Sequence, residues 1–454
     1  MRLLKNNVFR KLDGKVEKTM KRNHTIVALL LLCGLLCLTG CSAGGEAENT
    51  GTLSSAGCPY GISFETWEGK RETLSLSVFG GEWDTSHCQG IAVDDALEYM
   101  YFSFTTKLVK VRIATGEVVG TVSGWSGHLG DLTYYDGKIY GSLEYYYPIG
   151  SFYVAVFDGE KIVGETSHEA CMCTMYLSEV NYDYTHQLGE EWSIEEDPNA
   201  EGHAYGCSGI DGISIGKIPG GDGEDIALMV CYGIYGNTFR SDNDYQVMLQ
   251  YDLDSFLSFD SSGRTSIKRE CGDILDQNHY HTKGPNLSAK YFIYTGNTTY
   301  GVQNLEYDTL SDTYIMAVYD GAKEAFPNYD VFYLDGKAKP VYQELNLGTR
   351  QELYRDLPNS SGEETMDHGY TLSLAQVGVK DMDSGIWGSN NTGADMDTGV
   401  VHLYGNYYYI AQTDTTSDDL ETATARLFFY DRDNDQWIDC SSLKGRVIRM
   451  KHAS

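Results

Sequence analysis

Short runs of alternating apolar and polar residues cover most of this chain. Residues 73–79 (TLSLSVF) are one example. Alternation with a period of two is what a β-strand with one buried face requires, because successive side chains point to opposite faces. Runs with helical spacing are few, while the chain contains 35 Tyr and 50 Gly. The pattern therefore predicts an all-β protein.

One of these alternating patterns recurs five times. Each copy begins with a small or polar residue and continues with two apolar or aromatic positions at period two. The copies are residues 89–94, 130–135, 211–216, 303–308 and 398–403. The first apolar positions, which we expect to be buried at equivalent places, are Ile91, Leu132, Ile213, Leu305 and Val400.

Each copy is followed by further strand-like runs. A second strand follows, then a third that ends in a tight turn such as Asp-Gly or Thr-Gly, and often a shorter fourth. These dipeptides supply the positive φ that two-residue hairpins need. Repeats of a four-stranded meander indicate a β-propeller. We predict a single β-propeller domain over residues 58–454, with five four-stranded blades that start near residues 87, 128, 209, 301 and 397.

Uneven spacing between the copies indicates loop insertions. The largest are residues 171–205, which are acidic and loop-like, and residues 342–393. Six blades are an alternative, with the extra blade lying in the second insertion or formed from residues 60–80 and the carboxy-terminal strand. Two β-sandwiches are a further alternative. In architecture, residues 85–440 resemble extracytoplasmic propellers such as the SMP-30 and YVTN-like groups, and this resemblance implies a fold but no functional residue.

The amino terminus has the layout of an export signal. A basic segment precedes an apolar run over residues 26–37, which is too short to favour a membrane-spanning helix. The run ends in Leu38-Thr39-Gly40-Cys41. This segment resembles a bacterial lipoprotein signal, which implies cleavage before Cys41 and attachment of lipid to its sulfur. Residues 1–40 would then be the signal peptide and residues 41–57 a flexible tether.

The lipoprotein resemblance places the protein outside the cell, held at the membrane through the lipid on Cys41. A plain secretory signal is the alternative, and Met20 is an alternative start. The formal net charge is −31, and without residues 1–40 it becomes −37, from 26 basic and 63 acidic residues. The electrostatic field of so negative a chain repels nucleic acid, so we exclude polynucleotide partners. The same negative charge suits a protein that collects cations.

Candidate chemistry lies at the starts of the first strands. In a propeller these strands line the central channel, so polar residues at their starts converge. We expect His87, His128, Gln303 and Asn304 to contact a ligand. The other expected positions are Asp131 and Asp211 as metal ligands, Glu306 as a general base deeper in the channel, and Glu144 at the end of its second strand. A plug of mutually hydrogen-bonded polar groups is the alternative.

Oxygen-rich ligand sets favour Ca²⁺, whereas two histidines would favour Zn²⁺ or Mn²⁺, and Ca²⁺ is the sequence-based expectation. A second candidate site contains His281 and Lys283, whose charge suits a phosphate or carboxylate ligand. No catalytic motif stands out. The sequence therefore favours a module that binds a small molecule, a glycan or a cell-surface protein through its channel mouth. The alternative is a metal-assisted hydrolase or lyase.

Overall fold

The computed structural model describes residues 60–145, 150–185, 203–238, 242–256, 284–346, 368–390 and 396–443. Cys41, His281 and Lys283 lie outside the described residues. Five antiparallel sheets form a five-bladed β-propeller, which confirms the predicted fold class. Within the described ranges, no helix has both the length and the apolar character that a membrane span needs.

The first two blades follow the predicted order of strands. Blade 1 contains β2 (Cys88–Val93), β3 (Tyr99–Phe104), β4 (Lys107–Arg112) and β5 (Glu117–Ser123), and β9 (Gly164–Ser167) runs parallel to β5. Blade 2 contains β6 (His128–Tyr135), β7 (Lys138–Tyr145), β8 (Ser151–Asp158) and β10 (Met172–Tyr176).

Blade 3 is the widest sheet and blade 4 the narrowest of the five. Blade 3 contains β11 (Cys207–Lys217), β12 (Ile226–Ile234), β13 (Tyr245–Asp252) and β14 (Leu287–Tyr294), and it continues through β19 (His368–Thr371) to β18 (Val341–Glu344). Blade 4 contains β15 (Thr299–Asp308), β16 (Thr313–Tyr319) and β17 (Val331–Asp335). A small ladder joins β20 (Val379–Lys380) to β21 (Trp387–Gly388).

Blade 5 closes the ring with strands from both ends of the described chain. It contains β22 (Val400–Tyr404), β23 (Tyr407–Thr415), β24 (Glu421–Asp431) and β25 (Gln436–Asp439). The amino-terminal strand β1 (Ser77–Trp83) pairs with β24, from Ser77 opposite Arg426 to Trp83 opposite Glu421. The amino-terminal strand thus widens the fifth blade and does not start a sixth.

Short α-helices accompany the strands in the part of the chain that the structure describes. They are α1 (Phe64–Lys70), α2 (His168–Cys171) and α3 (Ser178–Thr185). Helix α1 begins after Ser63, whose hydroxyl accepts a hydrogen bond from the N–H of Thr66, and its Trp67 stacks on Tyr404 of blade 5. Single turns of 3₁₀ helix cover Gly159–Lys161, Ala204–Gly206 and Cys440–Leu443.

Both predicted insertions contain regular structure. In the first, we expected a loop over residues 171–205, but β10 supplies the fourth strand of blade 2 and α3 follows it. In the second, β18 and β19 extend blade 3, and Ser389 forms a bridge to Val331 at the edge of blade 4. The described parts of the second insertion therefore add edges to existing blades and do not form a sixth blade.

The five repeated apolar positions are buried on the innermost strands, as predicted. Their exposed fractions are 0% for Ile91, 2% for Leu132, 0% for Ile213, 1% for Leu305 and 2% for Val400. In three of the five blades, the residue just before this apolar position is glycine: Gly90, Gly212 and Gly399. A Cβ on Gly90 would lie 2.6 Å from the Cα of Asp131, so the inner strands of blades 1 and 2 approach more closely than a side chain there would allow. The channel is consequently narrow at this depth.

Candidate functional site

Asp131 lies in the middle of the channel and joins three blades. Its Oδ2 accepts hydrogen bonds from the N–H groups of Ile213 in β11 (3.0 Å) and Leu305 in β15 (2.9 Å). Its Oδ1 accepts one from the N–H of Leu132 (2.8 Å). Burial raises the pKa of this carboxyl well above its usual range. Asp131, which we expected to bind a metal, therefore has both oxygens engaged by backbone donors and connects the inner strands of blades 2, 3 and 4.

Asn304 and Glu306 also join neighbouring blades. The Nδ2 of Asn304 donates to the carbonyl oxygens of Gln89 (3.2 Å) and Asp397 (2.8 Å). Three residues beyond Gln303 in β15, Glu306 accepts a hydrogen bond at Oε1 from the N–H of His402 (2.7 Å). Burial raises the pKa of Glu306 well above its usual range, and the role of Glu306 as a general base stays a prediction. Its hydrogen bond is to blade 5, and Glu306 is not one of the three residues of the potential metal site described next.

Three side chains at the channel mouth form a potential metal site, called here the channel-mouth group: His128, Glu144 and Asp211. One ligand atom from each lies within 4.8 Å of the other two. The Nδ1 of His128 is 3.3 Å from Glu144 Oε1 and 3.9 Å from Asp211 Oδ1. His128 and Glu144 stand opposite each other in the β6–β7 ladder, and Asp211 reaches them from β11 of the next blade.

Each carboxylate of the channel-mouth group has one oxygen held by an outer donor. Glu144 Oε2 accepts from the N–H of Ile210 (3.0 Å), and Asp211 Oδ2 accepts from the side-chain amide of Gln303 (3.2 Å). The inner atoms, Asp211 Oδ1 and His128 Nδ1, are both buried and lie 3.9 Å apart. His128 Nδ1 pairs with Glu144 Oε1 at 3.3 Å, whereas Asp211 Oδ1 accepts no hydrogen bond from the described residues.

Glycine makes the space for this arrangement. Gly209 has a φ of 139°, and a Cβ there would collide with Glu144 Oε2. A Cβ on Gly130 would lie 3.2 Å from Asp211 Oδ1. Side chains at either position would displace a carboxylate of the channel-mouth group, so its geometry depends on small neighbours as well as on the ligands themselves.

The channel-mouth group concentrates negative charge. Burial raises the pKa of Asp211 well above its usual range, and the charge of Glu144 raises it further. Burial disfavours the His128 imidazolium, but the contact with Glu144 and the charge of Asp211 outweigh burial, so the pKa of His128 is raised. Both shifts mean that these two groups hold a proton more tightly in the folded protein than they do in water.

The raised pKa of Asp211 should be visible in the pH dependence of the protein's stability. Because the folded-state pKa of Asp211 is above its unfolded value, the folded chain binds the proton more tightly. The resulting stabilisation is present at low pH and is lost as the pH rises through the folded-state pKa. In metal-free protein, Asp211→Asn should therefore gain thermal stability over the unsubstituted chain as the pH increases from 5 to 8. Thermal unfolding of both proteins across this pH range measures the difference between their unfolding temperatures. A difference that does not change with pH would contradict a raised pKa for Asp211.

Among the described residues, the other expected ligand residues, His87 and Gln303, contact neighbouring side chains. Exposed His87 contacts the side-chain amide of the buried Gln89. Gln303 was expected to touch a ligand, and its amide instead holds Asp211. Sequence reasoning placed Glu144 at the end of a second strand without assigning it a role. The available signal was the β6–β7 hairpin, because its register sets Glu144 opposite His128.

No family model and no curated protein matches the chain. Among solved structures it is similar to a glutaminyl cyclase from Myxococcus xanthus, with 9% identity and a TM-score of 0.31 over 77% of this chain and 96% of that one. A functionally unknown protein from Desulfotomaculum acetoxidans gives 11% identity and a TM-score of 0.30 over 77% of this chain and 68% of that one. The computationally designed protein Ika4 gives 12% identity and a TM-score of 0.20 over 55% of this chain and 90% of that one. Such low values carry no argument about function, which has to come from the channel-mouth group.

Proposed function

We propose that the channel-mouth group holds a divalent cation, and that the protein uses this cation to bind an oxygen-bearing ligand outside the cell. The observation that carries the proposal is the division of the carboxylate oxygens. Outer donors hold Glu144 Oε2 and Asp211 Oδ2, and the inner ligand atoms converge within 4.8 Å. Three protein ligands leave coordination positions for water or a ligand, as open metal sites do.

The side chains of this group favour Mn²⁺ or Zn²⁺ over the Ca²⁺ expected from sequence. Ca²⁺ takes about six to eight oxygen ligands. The oxygens of Asp131 are occupied by backbone N–H groups, which leaves this carboxylate without a free oxygen for a cation. One imidazole and two carboxylates remain, a set that suits Mn²⁺ and Zn²⁺ better.

Metal-assisted hydrolysis or elimination is the second candidate function. The observation that favours it is the exposure gradient across the site. The side chain of His128 is 27% exposed, whereas those of Glu144 and Asp211 are 2% and 12% exposed. A cation bound there would be approached from the His128 side, where a coordinated water could react. Turnover of a ligand in addition to binding would support this candidate.

Elemental analysis of the purified protein tests the cation proposal. Protein prepared without chelator should contain about one equivalent of a divalent metal. After chelator treatment, calorimetric titration with MnCl₂, ZnCl₂ and CaCl₂ should show one site that prefers Mn²⁺ or Zn²⁺. Protein that takes up none of the three at the channel mouth would overturn the proposal, and preference for Ca²⁺ would restore the expectation from sequence.

Attachment to the membrane through Cys41 is part of the proposal, because it would place the channel mouth outside the cell. We expect Cys41→Ala to abolish labelling by a radioactive or clickable fatty acid and to release the protein from the membrane fraction. The reason is that the sulfur is the acceptor of the lipid. Ser42→Ala is the matched control and should stay labelled and membrane-bound. Labelled Cys41→Ala protein would refute the anchor.

A further inference from the structure

Tyr300 has a backbone conformation that its own contacts do not explain. Its φ is 63°, and Gly301 follows with a φ of 70°. A bulky residue rarely adopts the left-handed region, and such positions gather at functional sites. The ring is nevertheless 47% exposed, so burial of the side chain does not account for the conformation.

A bulge in β15 presents this ring. The register between β15 and β16 shifts between Thr299 and Val302, so Tyr300 and Gly301 leave the ladder. Bulges next to functional sites redirect side chains. A Cβ on Gly301 would collide with the carbonyl oxygen of Tyr232, so the bulge is pressed against blade 3 and has little room to relax.

The bulge is connected to the channel-mouth group through one residue, Gln303. The Nε2 of Gln303 donates to the carbonyl oxygen of Tyr300 (2.8 Å) and to Asp211 Oδ2 (3.2 Å). Tyr319 stands beside Tyr300, with ring centroids 6.3 Å apart at 81°. The pKa of Tyr319 is raised by burial and by the charges of Asp397 and Asp211, which agrees with its position close to the site. The backbone of Tyr300 is therefore joined through Gln303 to the channel-mouth group, and its exposed ring packs edge-on against Tyr319.

We propose that Tyr300 is a stacking platform for a neutral sugar ring whose adjacent oxygens coordinate the cation; this inference rests on the proposed cation site. A pyranose offers a C–H face for the tyrosine and hydroxyl oxygens for the open coordination positions. The immediate surroundings are polar: a Cβ on Gly233 would meet Ser208 Oγ at 2.6 Å and both Asp211 Oδ2 and the Tyr300 carbonyl oxygen at 3.4 Å.

Charge favours a neutral ring over an acidic one. Glu144 and Asp211 already balance the two charges of a divalent cation. The chain as a whole carries a formal net charge of −31, and such a field opposes the approach of an anion. A neutral saccharide gains the coordination and the stacking without meeting this repulsion.

Saturation-transfer NMR on the full chain provides the test. The protein is loaded with Zn²⁺, which is diamagnetic, and kept free of paramagnetic Mn²⁺. Mannotriose and xylotriose are the neutral probes, and digalacturonate is the acidic probe. We expect transfer to a neutral probe that disappears with chelator. Tyr300→Asn should weaken binding about tenfold or more, because Asn tolerates the left-handed backbone but lacks the ring. Tyr300→Trp should retain binding. Tyr342→Asn, which removes another exposed tyrosine, is the control and should bind normally.

The outcomes separate this inference from the cation proposal. The Zn²⁺ affinity of Tyr300→Asn should stay within about threefold of the unsubstituted chain, since the ring does not coordinate the metal. If Zn²⁺ binds but no saccharide does, or if binding survives Tyr300→Asn, the platform is overturned and the cation site stands. Binding of digalacturonate alone overturns the neutral assignment. A chain that binds no divalent metal overturns both proposals.

Discussion

Asp211→Asn is expected to lower the affinity for divalent metal by more than about 100-fold. Outer-sphere partners alone are typically worth about 10- to 100-fold in metal affinity, so loss of a charged ligand should exceed this range. The substitution keeps the shape of the side chain and removes its negative charge. Calorimetric titration of chelator-treated protein with ZnCl₂ and MnCl₂ measures the effect.

Asp222→Asn is the matched control for this substitution. The Asp222 side chain is 90% exposed and pairs with Lys339 at the surface. The metal affinity of the Asp222→Asn protein should therefore equal that of the unsubstituted chain. A second readout separates ligand loss from unfolding: metal-free Asp211→Asn should be at least as stable as the metal-free parent at pH 8, since a buried like-charge contact with Glu144 is relieved. Undiminished metal binding by Asp211→Asn would remove Asp211 from the site.

Asp131→Ala is expected to lower the free energy of unfolding by about 3–5 kcal/mol. The substitution leaves the buried N–H groups of Leu132, Ile213 and Leu305 without their acceptor. An unsatisfied buried donor typically destabilises by about 1–3 kcal/mol, and relaxation around the cavity makes the sum smaller than three full terms. Urea unfolding followed by tryptophan fluorescence measures the change.

Two further variants serve as comparisons for the stability of Asp131→Ala. Asp222→Ala, at an exposed position, should change the free energy of unfolding by less than about 0.5 kcal/mol. Asp131→Asn should fall between Asp131→Ala and the parent, because one of its two side-chain positions becomes a donor facing backbone donors. If Asp131→Ala lost less than about 1 kcal/mol, the carboxylate would not be joining the three blades as described. Metal affinity of Asp131→Asn within a few-fold of the parent would separate it from the channel-mouth group.

The candidate site was predicted only in part. The repeat placed His128 and Asp211 at the starts of neighbouring inner strands, and both belong to the channel-mouth group. It treated Asp131 in the same way, because an aspartate at such a position has the same local pattern whatever its partners are. Two of the three N–H groups that engage Asp131 come from residues 82 and 174 positions away. Contacts at this separation leave no signal in a single sequence.

Local chemistry in the sequence determined the strands, the turns and the five-fold repeat, because side-chain alternation and turn propensity act over a few residues. The burial of Ile91 and its four counterparts followed from that alternation. Tertiary structure decided how the ring closes, since β1 pairs with β24, where Ser77 stands opposite Arg426, 349 positions further along the chain. It also decided which carboxylates face the channel mouth. Glu144 does, because the β6–β7 register sets it opposite His128, and Asp131 does not, because backbone donors of two other blades engage its Oδ2 and the N–H of Leu132 engages its Oδ1.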